Sequence, residues 1–229
     1  MNNNGIYSER SAVSARGEFI RKCYLNLAAA FAVFVFLEWL LMSWQPAVDL
    51  AARMVGGKNW LIVMIAFMAV SWVANSWTFS RGDVGKQYAG LYLYVIAEAV
   101  IFLPLILLAD QYAPDAIPQA AILTAALSGG VTAYAVMSGK DFSFLGGILT
   151  IASFVALGII VCAILFGFGL GLWFSGAMIV FAAFALLYNT SAVLRQYEND
   201  QYVAAALGLF ASIALMFWYI LQFLMSRRD

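Results

Sequence analysis

The sequence predicts an all-α integral membrane protein in which seven transmembrane helices form one bundle. Hydrophobic residues make up 65% of the 229 residues and charged residues only 10%, whereas soluble domains are about 45–50% apolar and about 25% charged. The apolar residues fall into seven runs, each near the length of about 20 residues that a helix needs to cross a bilayer. Most charged residues lie between these runs. The chain therefore needs lipid as a second apolar solvent.

The seven predicted spans follow one another with short connections. They cover residues 24–44, 60–79, 88–109, 118–137, 144–166, 172–194 and 202–225. No charge separates the fifth span from the sixth, and only Gly167, Gly169 and Gly171 indicate a turn there. We expect a polar, basic arm over residues 1–23, a membrane domain over 24–226 and a short tail over 227–229. The first apolar run is too long for the core of a cleavable signal peptide, so no cleavage is expected.

Lysine and arginine residues predict which side of the membrane each connection occupies, because cytoplasmic connections are enriched in them. With the N-terminus in the cytoplasm, the inside receives Arg10, Arg16, Arg21, Lys22, Arg81, Lys86, Lys140 and Arg195. The outside then receives fewer, namely Arg53, Lys58, Arg227 and Arg228. This excess predicts a cytoplasmic N-terminus and an external C-terminus. The Arg227–Arg228 pair opposes the orientation and leaves the side of the C-terminus open.

The composition argues against several classes of function. The net charge is zero, so no basic surface for nucleic acid is predicted. The chain has no histidine, which removes a serine–histidine pair and the HExxH zinc site. No predicted span has an interior aspartate, which an intramembrane aspartyl protease would need. The two cysteines, Cys23 and Cys162, lack metal-site spacing. We therefore predict no enzyme activity and no cofactor, and the residues leave a metal site undecided.

Two carboxyl groups fall inside predicted spans. Glu98 lies near the middle of the third span, where a charge costs at least about 2.5 kcal/mol. Its side chain should face the bundle interior, either in an ion pathway or, when protonated, in a hydrogen bond to another helix. Glu38 lies nearer a membrane surface, so its side chain can extend towards water. Pro104 frees the carbonyl group of Val100 close to Glu98, which suits either a cation site or a simple kink.

Uncharged polar residues in the last two spans complete the set of candidates. Asn189 begins a run with Thr190 and Ser191 that points around the helix, so Asn189 is expected to form a hydrogen bond across the bundle. Ser212 belongs to a stripe of small residues spaced by four positions, which permits close helix contact. The predicted lining of an ion pathway is Glu98, Asn189, Ser212 and Glu38.

A motif at the start of the fifth span reveals a resemblance to a known family. Residues 141–147 read DFSFLGG, namely Asp141, Phe142, Ser143, Phe144, Leu145, Gly146 and Gly147. The string resembles the corresponding segment of the Bax inhibitor-1 family. The text LYNT at 187–190, which contains Tyr188, and YVAAALGLF at 202–210 are similar to its C-terminal helices. Residues 21–24 are similar to the opening of its first helix, so the likeness covers nearly the whole chain.

The resemblance implies a seven-helix bundle with a central last helix and a membrane calcium leak or cytoprotective role. In the bacterial branch that includes YccA, it implies an inner-membrane location and modulation of the membrane protease FtsH. The family's pH-sensitive calcium site has an aspartate in each of the last two helices, and the matching positions here are Asn189 and Ser212. The Gly-Pro motif of the family's third helix is reduced to Leu103-Pro104, and Glu98 stands where an uncharged residue is usual.

Three alternative functions follow, and each has the lipid bilayer as a partner. The first is a cation leak, for calcium or protons, in which the usual acidic pair is replaced. The second is a non-channel regulator of an FtsH-type protease, or a stress-protective factor, with the basic arm as its contact surface. The third is a proton-coupled secondary transporter, which the lack of a visible inverted repeat disfavours. The oligomeric state is left open.

Overall fold

Eight α-helices form the part of the chain that the computed structural model describes, residues 3–55 and 59–227, with side chains from residue 14 onwards. The helices are α1 (Asn3–Ser43), α2 (Gln45–Met54), α3 (Asn59–Thr78), α4 (Val84–Tyr112), α5 (Ala116–Ser138), α6 (Leu145–Phe166), α7 (Gly171–Arg195) and α8 (Tyr202–Ser226). Of the basic residues used to predict orientation, Lys58, Arg228 and the side chain of Arg10 lie outside this description.

Seven of these helices are long and apolar enough to cross a membrane, which confirms the predicted fold class. The candidate spans are Ser14–Ser43 within α1 and the whole of α3 to α8. The predicted turn between the fifth and sixth spans is present, because α6 ends at Phe166, just before Gly167, and α7 begins at Gly171. Both glycines adopt the left-handed backbone conformation, with φ of 73° and 66°, that side chains disfavour.

The first helix begins earlier than the sequence indicates. α1 is continuous from Asn3, so it includes most of the residues predicted as the polar arm. Polar residues do not end a helix unless they compete for its backbone, and Glu18 and Lys22 instead form an ion pair of 2.8 Å at the helical spacing of four. The chain leaves the helix only at Trp44, just before Pro46 at the start of α2.

The short helix α2 was not predicted, because its ten residues are too few to span a membrane. Its sequence nevertheless has two helical signals. Pro46 lies in the first turn, where its missing N–H costs nothing. Ala47, Ala51 and Met54 recur on one face, and all three are buried, against α1 and α4. The segment is thus an amphipathic helix that covers one end of the bundle.

The last helix is the centre of the fold, as the family resemblance implies. α8 packs against α1, α3, α4, α5 and α7. The largest buried cluster joins residues of α1, α4 and α8, among them Phe34, Phe102 and Phe210. Because lipid is as apolar as these side chains, close packing and buried polar contacts hold such a bundle together.

Helix α6 stands apart from this core. It packs mainly against α7, with a smaller contact to α3. Only Leu145, Ala156 and Ala163 of α6 are buried, whereas Ile151 and Phe154 are 69% and 72% exposed. An apolar helix with such a large exposed surface faces lipid over most of its circumference. Its loose packing leaves space between α6 and the centre of the bundle.

Candidate functional site in the transmembrane bundle

One partly buried polar group joins α7 to α8. The amide nitrogen Nδ2 of Asn189 donates to Ser212 Oγ at 2.8 Å and to the carbonyl oxygen of Gly208 at 3.1 Å. Ser212 Oγ donates in turn to the Gly208 carbonyl oxygen at 2.9 Å. A Cβ atom on Gly208 would lie 3.1 Å from Asn189 Oδ1, so the glycine makes room for the asparagine. Every donor of this group has an acceptor, and the group carries no charge.

A second buried polar group consists of two carboxyl groups. Glu98 of α4 is 5% exposed and Glu38 of α1 is 6% exposed. Both oxygens of Glu38 and Oε2 of Glu98 are buried without a hydrogen-bond partner among the described residues. Glu38 and Glu98 lie on α1 and α4, which pack against each other, and no hydrogen bond joins the Glu38 oxygens to Glu98. An unpaired polar group in an apolar interior is costly, so the fold must hold these side chains in place by packing.

The burial of Glu38 differs from the expectation that its side chain extends towards water. α1 packs against both α4 and α8, so its inner face is covered by protein. One turn before Glu38, the Phe34 ring lies edge-on to Phe102 with centroids 5.2 Å apart. Neighbouring aromatic rings therefore fix this face of α1, including the carboxyl group of Glu38, inside the bundle.

Ring contacts between α4 and α8 define the depth of Glu98. Tyr94 packs edge-on against Phe210 with centroids 6.2 Å apart. Two turns further along both helices, Phe102 packs edge-on against Trp218 at 4.9 Å. Glu98 lies midway between Tyr94 and Phe102, so it is level with the α8 segment between Phe210 and Trp218. This depth is close to the middle of α4.

The two polar groups therefore occupy similar depths on different faces of α8. Ser212 falls within the same α8 segment but faces Asn189 on α7. Glu98 approaches from α4, and Glu38 lies on the neighbouring helix α1. From the sequence, Glu38, Glu98, Asn189 and Ser212 were predicted to line one ion pathway. The fold instead places them in two separate pairs. Helix packing decides this division, and no local pattern in the sequence encodes it.

A cavity of about 950 Å³ opens beside Glu98. Its wall combines residues of α3, α4, α6, α7 and α8, on the side where α6 packs loosely. It extends from Glu98 at mid-helix to Val55 and to the connection 167–170 between α6 and α7. Pro104 lines the same cavity, so the kink and the carboxyl group expected to act together do face one space.

Aromatic rings fill the bundle one turn from Glu98, towards the N-terminal end of α4. Phe210, which is fully buried, is their centre. Its ring centroid lies 4.8 Å from that of Phe31, 5.9 Å from that of Phe34 and 6.2 Å from that of Tyr94. We call Phe31, Phe34, Tyr94 and Phe210 the aromatic cluster. It closes one end of the space around Glu98, whereas the cavity lies open towards the other end.

The DFSFLGG motif anchors the α5–α6 connection to α7. The backbone N–H of Phe142 donates to Ser191 Oγ at 3.1 Å, and both residues are buried. The N–H of Ser143 donates to Asp141 Oδ1 at 2.9 Å, which orders the turn before α6. Phe142 also packs near Tyr134, with ring centroids 5.9 Å apart. These residues hold the loop in place and do not line the cavity.

The remaining motif residues divide into a packing contact and a lipid-facing surface. A Cβ atom on Gly146 would lie 3.1 Å from the ring of Tyr188, so the glycine allows α6 and α7 to meet. Gly147 has no neighbour within 4 Å of such an atom, and Phe144 is 64% exposed. The motif therefore indicates the fold, and its residues contribute to packing and not to the lining of the cavity.

Arg16 has a role that sequence reasoning missed. Its guanidinium group donates to the carbonyl oxygens of Val193 and Tyr197, at 2.6 and 2.7 Å. These carbonyls lie at the C-terminal end of α7, where backbone acceptors lack helical partners and a cation is favoured. From the sequence, Arg16 was predicted only to be one of the basic residues of the N-terminal arm. Burial also raises the pKa of Tyr197 in this connection to about 12.

The polar groups offer few ligands for a metal ion. Within the described parts of the chain, no three side chains of His, Cys, Asp or Glu come together as a metal site. Calcium usually takes 6–8 oxygen ligands, and two carboxyl groups supply at most four. The pair of Glu38 and Glu98 is better matched to a proton, which needs one acceptor oxygen at a time.

Comparisons with known proteins extend these observations. A family model described as "Inhibitor of apoptosis-promoting Bax1" matches residues 16–229. Protein lifeguard 4 of Mus musculus is 24% identical in an alignment 231 residues long, which covers 97% of this chain and 90% of the mouse protein. The Golgi anti-apoptotic protein of Vaccinia virus (strain Lister) is 28% identical in an alignment 236 residues long, which covers 97% of this chain and 91% of the viral protein.

A bacterial protein shows higher identity over a shorter stretch. An uncharacterized protein of Pseudomonas aeruginosa is 36% identical over 107 residues. The match spans 46% of this chain and 48% of the Pseudomonas protein, about half of each. The likeness to the mouse and viral proteins, by contrast, runs through nearly the whole membrane domain.

Proposed function

Because this chain belongs to the Bax inhibitor-1 family and has seven helices able to span a membrane, we propose that it is a gated, non-enzymatic cation leak whose ion passes Glu98. The observation that carries the proposal is the unpaired carboxyl oxygen of Glu98, buried in the wall of a cavity that reaches one end of the bundle. Placing an ionisable group inside a membrane costs free energy, and such groups usually take part in an ion or proton pathway.

The aromatic cluster acts as the closed gate of this pathway. An ion that arrives through the cavity reaches Glu98 and then meets the rings around Phe210. Hydrophobic constrictions of this kind stop ions by excluding water. Glu38, on the α1 side, provides a second carboxyl group to which a proton can pass once the rings move.

Protons suit this pathway better than calcium. The two positions that the family resemblance matches to an acidic pair are Asn189 and Ser212, and Asn189 donates a hydrogen bond to Ser212. Calcium therefore meets no site of two facing carboxylates on α7 and α8. The remaining pair, Glu38 and Glu98, can exchange single protons without a complete shell of oxygen ligands.

Ion flux into proteoliposomes tests the proposal. A pH-sensitive and a calcium-sensitive dye report the two ions separately, with an imposed gradient of each. Glu98→Gln keeps the shape of the side chain and removes its charge and proton affinity, so we expect proton flux to fall to the level of empty liposomes. Phe210→Ala opens the aromatic cluster and should raise the flux above that of the wild type.

Glu198→Gln is the matched control, because Glu198 is an exposed carboxylate in an ion pair with Arg81 outside the bundle. Its flux should equal that of the wild type. Unchanged proton flux in Glu98→Gln would rule out the Glu98 pathway. Solute uptake by the same proteoliposomes separates a leak from a proton-coupled transporter. Only a transporter takes up a solute when a pH gradient is imposed.

The structure has one feature that favours the regulatory alternative. α1 begins at Asn3, so the polar arm predicted over residues 1–23 is helical from Asn3 onwards. A regulator would use this helical part of the arm to contact an FtsH-type protease. Such a regulator would keep its activity in Glu98→Gln. A stress-protective role is compatible with either activity, and the name of the viral relative assigns an anti-apoptotic role to that protein.

The location that best fits this proposal is a bacterial inner membrane with a cytoplasmic N-terminus. The excess of lysine and arginine on that side supports the orientation. The bacterial relative from Pseudomonas aeruginosa supports the organismal setting.

A further inference from the structure

The cavity beside Glu98 is larger than a proton pathway requires. At about 950 Å³ it lies at the upper end of the 300–1,000 Å³ range typical of pockets for drug-sized ligands. Most of its wall is apolar, with side chains such as Met64, Phe67, Leu157 and Met178. A proton or a hydrated metal ion gains nothing from such a wall. The size and the lining point to an organic ligand.

The charge of this ligand follows from the ionisable groups around it. Among the described residues that line the cavity, Glu98 is the sole carboxyl group, and there is no lysine or arginine. Its Oε2 atom is buried and unpaired. A neutral acyl chain would leave the charge of an ionised Glu98 unbalanced, and an anion would be repelled by it. A cation would balance that charge.

Aromatic rings flank the same space. Trp60 and Trp218 are stacked with centroids 6.1 Å apart, and Phe102 meets Trp218 edge-on at 4.9 Å. All three residues line the cavity. The faces of tryptophan rings attract organic cations, and quaternary ammonium ligands are commonly held in this way. Two independent features, an unpaired acid and an aromatic wall, thus favour one class of ligand.

We propose that this cavity binds a bulky hydrophobic organic cation, such as a quaternary ammonium or phosphonium ion. The charged centre lies next to Glu98, and the apolar substituents contact Trp60, Phe102 and Trp218. Such a cation partitions into the bilayer, so it can enter from lipid along the loosely packed α6. The site does not depend on ion conduction, because binding requires the cavity and Glu98 but no open path through the aromatic cluster.

Equilibrium binding of tetraphenylphosphonium to the purified full-length chain in neutral detergent tests the proposal. We expect saturable binding to one site per chain and at least a tenfold loss of affinity in Glu98→Gln. Tetraphenylborate has the same shape and the opposite charge, so it should not bind saturably. It is measured in separate samples, because the two ions pair with each other. Glu198→Gln, an exposed carboxylate far from the cavity wall, should bind like the wild type.

A second variant keeps the test decisive if Glu98→Gln does not fold. Ser153 lines the cavity from the exposed side of α6, and Ser153→Phe would fill the space without changing any charge. We expect this variant to elute as a monodisperse peak in gel filtration and to bind the cation at least tenfold more weakly. Equal binding by wild type and Glu98→Gln, or saturable binding of tetraphenylborate, would overturn the proposal. Neither outcome depends on ion flux, so a failed leak and a failed binding site remain distinguishable.

Discussion

The two polar groups inside the bundle, Asn189 with Ser212 and Glu38 with Glu98, lie at similar depth but differ in how their polar atoms are hydrogen-bonded. On the α7 side of α8, both hydrogens of the Asn189 amide and the Ser212 hydroxyl have acceptors. On the α4 side, three of the carboxyl oxygens are buried without a hydrogen-bond partner in the described structure. Glu98 of the second group lines the cavity of about 950 Å³, whereas Asn189 and Ser212 are not among its lining residues.

This difference indicates that the two groups serve different purposes. A satisfied buried hydrogen bond contributes to stability, whereas an unsatisfied polar atom costs about 1–3 kcal/mol and persists only when something else requires it. The two positions that the family resemblance matches to an acidic pair form a hydrogen-bonded connection between α7 and α8 in this chain. The two buried carboxyl groups of the described structure lie on α1 and α4.

The largest expected effect is a difference in stability between substitutions in the two groups. Asn189→Leu removes two hydrogen bonds and places a branched side chain against Gly208, so we expect the free energy of unfolding to fall by about 1–3 kcal/mol. Glu98→Gln removes an unpaired ionisable group and should leave the stability unchanged or raise it. Thermal unfolding in detergent measures both. Equal destabilisation by the two substitutions would remove the distinction between the groups.

A smaller effect is expected at Gly208, which tests how tightly the structural pair is packed. A Cβ atom there would lie 3.1 Å from Asn189 Oδ1, tighter than ordinary contact. Gly208→Ala should therefore lower the stability by about 1 kcal/mol, close to the cost of one impaired hydrogen bond. Gly147→Ala in α6 is the matched control, since nothing lies within 4 Å of its Cβ position. The control should be neutral or slightly stabilising, because alanine favours helices. A neutral Gly208→Ala would show that Asn189 moves freely.

The smallest effect is expected at Ser212. Ser212→Ala removes the hydroxyl but leaves the bond between Asn189 and the Gly208 carbonyl, so part of the connection survives. Single hydrogen bonds between membrane helices average about 0.6 kcal/mol, and we expect a loss of that size. The variant should conduct ions like the wild type, because Ser212 does not line the cavity. A loss of flux with intact stability would assign Ser212 to the pathway after all.

Much of the fold could be predicted from hydropathy alone, because lipid requires a continuous apolar run for each span. All seven spans were identified in this way, and the turn at Gly167 and Gly171 followed from the conformational freedom of glycine. The short helix α2 was not predicted, because a ten-residue segment with Asp49 and Arg53 resembles a loop. Its repeat of Ala47, Ala51 and Met54 was the signal that could have revealed it.

The candidate site was less predictable, since it depends on which helices meet. The cost of a charge in the membrane placed Glu98 inside the bundle, and its cavity depends on the loose packing of α6. The burial of Glu38 depends on Phe34 meeting Phe102 across two helices, which no local pattern shows. The division into two pairs depends likewise on α8 lying between α7 and α4.

The peripheral position of α6 has a consequence for how the protein enters the membrane. Because its neighbours bury little of it, α6 must be recognised by the translocon through its own sequence. An arginine or lysine at Ile151 or Phe154 would find no protein interior, and insertion would cost about 2.5–3.5 kcal/mol at the helix centre. Helix α8, surrounded by protein, accommodates Ser212 at a similar depth. Biogenesis therefore constrains the residues of α6, whereas the assembled bundle constrains those of α8.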